Sequence, residues 1–186
     1  MANKGQAAVF GALERIRQRL PFALLGIDSD NGSEFINAHL LRYCERGGIT
    51  FTRCRAYHKN DQVHVEQKNY TQVRQVVGYE RLQGEEALEQ LMRIYGLLRL
   101  YTIGWLPAMK LLSKEREGGT VRKRYDEPRT PLRRVLQAGI ERTEARIQFE
   151  LGLGGWGPLG LKKALDAEVE KLWRLRAQAP ASAAAL

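Results

Sequence analysis

The run Phe22-Ala23-Leu24-Leu25-Gly26-Ile27-Asp28-Ser29-Asp30-Asn31-Gly32-Ser33-Glu34-Phe35 carries the clearest local signal in the chain. Its first six residues are apolar and read as a short buried strand. That strand delivers Asp30 at its C-terminal end. Asn31-Gly32 is a turn signal, and Ser33 is placed to cap a helix over residues 34–46. A carboxylate at a strand end beside a tight turn is held rigidly, as a site residue must be. Asp28 lies two residues before Asp30, so in a strand both side chains leave the same face. We read Asp28 as a solvated or hydrogen-bonded acid at the strand end, without a site role.

Further along, Phe35, Leu40, Tyr43 and Cys44 form the inner face of the predicted helix, and Gly47-Gly48 stops it. Residues 49–53 (Ile-Thr-Phe-Thr-Arg) alternate with β-type side chains and predict a second strand. Upstream, residues 6–20 predict an amphipathic helix with Val9, Leu13, Ile16 and Leu20 on one face, ended by Pro21. Helix, strand, helix, strand in this order indicates an α/β layer. A further helix carries Val63, Glu66, Tyr70, Val73 and Val77 at spacings of three and four, one stripe. A glutamate in an apolar stripe points to the core, where a lone charge is costly and a metal ion would relieve it.

These residues resemble a known family. Asp30-Asn31-Gly32-Ser33-Glu34-Phe35 and Glu66, with thirty-five residues between the two acids, look like the second and last acids of the DDE transposase and retroviral-type integrase core. Lys59-Asn60-Asp61 followed by Val65-Glu66-Gln67-Lys68-Asn69 resembles the bacterial insertion-sequence branch, as does Arg122-Lys123-Arg124-Tyr125-Asp126 with Pro128, Thr130 and Pro131. The match covers about residues 4–136. It implies an α/β fold: a partial ribonuclease-H-like integrase core, with the first three strands and first acid missing, followed by a mainly helical, basic C-terminal region. It implies Asp30 and Glu66 as catalytic residues and metal ligands for Mg²⁺ (or Mn²⁺), in a reaction that cleaves and joins DNA strands. It also implies DNA as partner, a homo-oligomer, and a cytoplasmic, nucleoid-associated setting in a bacterium. With one acid missing, the expected activity of this chain is absent, and the alternative is a non-catalytic DNA-binding or subunit-binding remnant of a mobile element.

Charge points the same way. The chain is 186 residues with a formal net charge of +9, which favours a polyanionic partner. Lys59, Lys68, Arg74, Arg122, Lys123 and Arg124 are the candidate DNA-binding residues. Residues 110–134 hold nine Lys or Arg against four acids; Gly118-Gly119, Pro128 and Pro131 argue there against long regular elements. No apolar run is long enough to span a membrane, and charges interrupt residues 1–20, so no secretory signal is expected. Cys44, Cys54, His39 and His58 match no compact zinc pattern and read as buried thiols and surface histidines.

The expected organisation is residues 1–80 as the C-terminal half of a catalytic core, 81–136 as a helix plus basic segment, and 137–186 as a helical tail. Within the second segment, residues 85–102 predict a helix with Leu88, Leu91, Tyr95, Leu98 and Thr102 on one face. Residues 132–149 predict another, residues 152–160 a Gly/Pro-rich hinge, and Leu161, Leu165, Val169 and Leu172 a last amphipathic helix. The Ala-rich end from Ala177 is expected to be disordered.

Overall fold

The first helix, α1 (Gln6–Arg19), buries Val9 and rests Leu13 on the core beneath it. It stops before Pro21, with Leu20 extended at its C-terminal cap. The computed structural model describes residues 5–29, 38–54, 63–80, 82–140 and 143–178. Ile16, expected on the inner face, is exposed. The chain divides into two compact units, Met1–Leu88 and Glu89–Leu186, so residues 89–136 and 137–186 fall in one unit.

In the first unit the strand comes later than expected. β1 is Gly26–Ser29, whereas residues 23–25 lie outside it; Leu25 O accepts from the Thr50 N–H at 2.9 Å, but the Leu25 side chain is 76% exposed. The reason is the pairing. β2 (Thr50–Arg53) runs parallel to β1, with Gly26 opposite Thr50 and Ser29 opposite Arg53, so β2's length sets where β1 begins. Between them α2 (Ala38–Arg46) packs Leu40 and Cys44 onto Ile49, with Leu24, Ile27, Tyr43 and Phe51 around them. Gly48, at φ +61°, makes the turn out of α2, and the Ile49 N–H closes it by donating to Cys44 O at 2.8 Å. Strand, helix and parallel strand make a β–α–β unit, as the order of elements predicts. The inner face of α2 is the one read from the sequence: Leu40 and Cys44 are buried and Tyr43 half-buried, while Phe35 lies outside the described residues.

The next helix is not regular. α3 (Val63–Asn69) widens into a π turn over Tyr70–Arg74 and resumes as α4 (Gln75–Val77). The Thr71 hydroxyl donates to Gln67 O at 3.0 Å, the back-bonding that bends helices. A π turn seats an extra residue, so positions on either side of it no longer share one stripe. Val77 is buried, yet Glu66 and Tyr70 are exposed. Gly78 (φ +81°) and Gly84 (φ +89°) bracket the break expected there.

The second unit is built on α5 (Glu85–Trp105), which Leu106-Pro107 follows. Its buried positions from residue 89 onward are Gln90, Ile94 and Leu100, so the predicted face, which is half-buried, is displaced by one position. Leu100 meets Phe149 of α7 (Thr143–Leu153) and Leu161 of α8 (Pro158–Gln178), with Leu132 of α6 (Pro131–Ala138) at the edge. α5 and α7 approach through glycine: a Cβ on Gly152 would stand 3.2 Å from Leu100 Cδ2, and one on Gly104 3.3 Å from Leu153 Cδ2. Gln90 binds α8, its Nε2 donating to Glu168 O at 2.7 Å and to Glu168 Oε2 at 2.8 Å. The expected single helix over 132–149 is two, α6 and α7, because Gly139 takes φ +61° and ends α6. α8 buries Leu161, Leu165 and Leu172, the predicted stripe.

The basic segment corrects the sequence reading most. β3 (Leu111–Glu117) and β4 (Thr120–Tyr125) form an antiparallel hairpin around Gly118-Gly119. The glycines are its two-residue loop, Gly118 at φ +59°, where a side chain is costly.

Candidate functional site

Of the two candidate catalytic acids, Asp30, together with Lys59, lies outside the described residues. What surrounds Asp30 on the chain is clear. β1 alternates, with Ile27 and Ser29 turned inward and Asp28 exposed. Asp28 Oδ1 accepts the Thr52 hydroxyl at 2.7 Å from the neighbouring position of β2, which is the bonded role read for it. Ser29 is buried, and its Oγ has no hydrogen-bond partner among the described residues. An orphaned hydroxyl thus sits at the end of β1, one residue before Asp30.

Glu66 does not point to the core. It is exposed in the first turn of α3, ahead of the π turn that breaks the stripe. An exposed carboxylate keeps its water, so the argument that a metal must relieve its burial does not hold. Its chemistry still suits a hard cation: Mg²⁺ is held by one or two carboxylates with waters and phosphate oxygens completing the shell. Among the described residues no three His, Cys, Asp or Glu side chains come together as a metal site. Cys44 and Cys54 are buried free thiols, and burial raises the Cys44 pKa.

The candidate DNA-binding cations separate. Lys68 is exposed on α3. Arg74, in the π turn, is half-buried with its guanidinium 5.0 Å from the Tyr79 ring centroid, a cation–π contact that holds it to its own unit. Arg122, Lys123 and Arg124 all lie on β4 and are exposed. The first unit also holds a cleft of about 620 Å³ between α1 and α2, where Phe10 and Tyr43 meet His39, Arg42 and Arg46. Arg17 donates to the Tyr43 hydroxyl at 3.0 Å there, and Phe10 packs edge-on against the Tyr43 ring at 5.1 Å.

The base of the hairpin is clamped. Asp126 accepts from Arg134 Nη1 at 2.6 Å and Nη2 at 3.1 Å, and from the Lys110 N–H at 2.6 Å. Arg134 Nη2 also donates to Ala108 O at 2.6 Å, and Ala108 and Arg129 bond backbone to backbone. The Arg134 guanidinium, then the Lys110 N–H, hold the Asp126 carboxyl at about 2, below its ordinary 3.8. The Thr130 hydroxyl caps α6 by accepting from Arg133 N–H at 3.2 Å, with Pro131 at the first helical position. A charged ribbon is thereby fixed at its root and free along its length.

Lys114 and Arg116 were missed as candidates. The signal was present: two runs of similar length separated by Gly-Gly are a hairpin pattern. It was obscured because the runs are charged and lack apolar alternation.

No protein-family model matches the chain. Over 126 residues it is 47% identical to uncharacterized protein y4rM of Sinorhizobium fredii, an alignment covering 68% of this chain and 36% of that protein. The chain thus spans little more than a third of the length of the curated relative it matches. Among the described residues no helix is long and apolar enough to cross a membrane.

Proposed function

We propose that this chain is part of a DDE-type transposase or integrase, the stretch of a ribonuclease-H-like core that carries its second and last acids, joined to a basic DNA-contacting unit. The observation that carries the reading is the pair Asp30 and Glu66, with thirty-five residues between them, placed in sequence on either side of the crossover and second strand of a parallel β–α–β unit. Asp30 follows directly on the end of β1, and Glu66 stands exposed on the helix after β2. Glu66 is open to a polyanion and its counter-ions.

In this reading Asp30 and Glu66 would hold a divalent ion, Mg²⁺ or Mn²⁺, which would supply Lewis-acid activation of the attacking oxygen and charge stabilisation of the leaving one. The acids act as ligands and not as general bases. Lys68 lies two residues from Glu66 and holds phosphate nearby. The other acids up to residue 30 are committed elsewhere: Asp28 to Thr52, and Glu14, on α1, to Tyr43. In this reading DNA is held by the basic segment, and strand joining needs a further acid beside Asp30 and Glu66. The alternative, a DNA- or subunit-binding protein without catalysis, shares the DNA contact and differs at Glu66.

A strand-transfer assay with Mg²⁺ or Mn²⁺ separates the two. The same chain extended upstream by a strand bearing a further aspartate is expected to join DNA ends, and Glu66→Gln in that longer chain to abolish joining while leaving DNA binding intact. Joining that ignores Glu66→Gln overturns the catalytic assignment. Absence of joining by the extended chain favours the non-catalytic protein.

A further inference from the structure

The register of the hairpin sorts its charges. Residues directly opposite each other on an antiparallel pair share a face. Ser113 faces Arg124, Glu115 faces Arg122, and Glu117 faces Thr120. That side is mixed, two arginines against two glutamates. Lys114 faces Lys123, and Arg116 faces Val121. That side has three cations and no acid. Tyr125, two residues beyond Lys123 on β4, extends it with an exposed aromatic ring.

Other observations distinguish the two sides. Ser113, the one strand position that is not exposed, lies on the mixed side. Lys114, Arg116 and Lys123 make no ion pair among the described residues, although like charges sit directly across at Lys114 and Lys123. Such a pair is unfavourable in the isolated ribbon, and a polyanion relieves it. Glu115 and Glu117, which would repel phosphate, point the other way.

We propose that the Lys114, Arg116, Lys123 face of the hairpin is a docking surface for double-stranded DNA, laid along the major groove with the three cations on phosphates. The proposal rests on the DNA-acting reading above and specifies the surface and the form of nucleic acid. Strands in a pair lie about 4.8 Å apart, and the B-DNA major groove, about 12 Å wide, admits a two-stranded ribbon. Side chains on one face repeat about every 6.8 Å along a strand, so the cations form a row and not a point. The clamp at Asp126 and Arg134 fixes the angle of the ribbon to its unit, which lowers the ordering cost of docking. The contacts are to phosphates, so binding is general in sequence.

The test is fluorescence anisotropy of the full chain with a labelled mixed-sequence duplex, titrated at several salt concentrations. Lys114→Gln, Arg116→Gln and Lys123→Gln together are expected to weaken binding roughly tenfold or more and to lower the slope of log K against log salt by about 2.7, or 0.9 per phosphate contact. Arg122→Gln with Arg124→Gln, on the other face, is expected to change the slope by less than half as much. Lys123→Gln alone, with an unchanged thermal melt, gives the same sign at a third of the size if the triple variant folds poorly. An equal or larger loss from Arg122 and Arg124, or none from the triple variant, overturns the face assignment and leaves the DNA-acting reading standing. Tighter binding of single-stranded DNA or of duplex RNA than of duplex DNA overturns the groove proposal. Failure of the unmodified chain to bind any nucleic acid overturns this inference and that reading together.

Discussion

The parallel pair β1–β2 and the antiparallel pair β3–β4 are both two-stranded, and they spend their side chains in opposite ways. In β1–β2, Ile27, Ser29 and Phe51 turn towards Leu40, Cys44 and Ile49, and the strands exist to close a core. In β3–β4 only Ser113 is covered, and the strands exist to hold charges in rows. A parallel pair needs a crossover, and here α2 supplies both the crossover and the apolar lid. A hairpin needs only its loop and a root. The lesson is that strand pairing alone says little about role; what the outward residues are, and whether anything covers them, says more.

The largest expected effects lie where apolar side chains are packed. Leu161→Ala, at a position with no exposed surface between α5 and α7, is expected to cost about 3 kcal/mol in urea unfolding, and Leu40→Ala on α2 a similar amount in the other unit. A loss below roughly 1 kcal/mol at either residue would show that its core is not load-sharing in this way.

The clamp should come next. The folded Asp126 carboxyl sits at about 2, below its ordinary 3.8, so its ionised form is the one folding favours. Its contribution is therefore complete above pH about 4 and is lost as pH falls towards 2. Thermal melts of the chain should fall across that window, and Asp126→Asn should flatten the fall while lowering the melt at neutral pH. A slope unchanged by Asp126→Asn would assign the acid sensitivity elsewhere.

Gly118→Ala is expected to cost about 1 kcal/mol, from the positive φ alone, since nothing within 4 Å would meet the new methyl group. The smallest effect belongs to the ribbon's charges. Lys123→Gln should alter stability by no more than about 0.5 kcal/mol, because the side chain is exposed and unpaired. A larger loss there would make the hairpin a structural part and erase the contrast with β1–β2.

The β–α–β unit was legible because its burial follows apolar patterning: Leu40 and Cys44 were placed inward by helical spacing, and residues 49–53 were read as a strand from their β-type side chains. The strand boundary was not, since residues 22–25 are as apolar as a strand but pairing in register with β2 begins at Gly26, with Leu25 joined to it through its carbonyl alone. Glu66 was assigned to the core by a periodicity that the π turn at Tyr70–Arg74 interrupts, and nothing in spacing announces an i→i+5 turn. Thr71, which donates back to Gln67 O, is the nearest thing to a local mark of it. The hairpin was hidden because charged strands on a solvent-facing ribbon need no alternation. The motif carrying Asp30 was singled out by its resemblance to a known family, and Asp30 itself lies outside the described residues.

The π turn has a mechanical consequence. Val77 is seated in the first unit's interior, and that seat sets the rotation of the helix at its far end. Glu66 takes its bearing from Val77 through a turn that holds one residue more than a regular helix requires. Removing one residue between 70 and 74 would return the turn to a regular helix and leave the carboxylate facing nearly the same way relative to Val77, because the π turn fits its extra residue into about the arc of one α-helical turn. The backbone thus absorbs in one turn the residue that a regular helix would have passed on as rotation, and this keeps Glu66 off the buried side that Val77 marks.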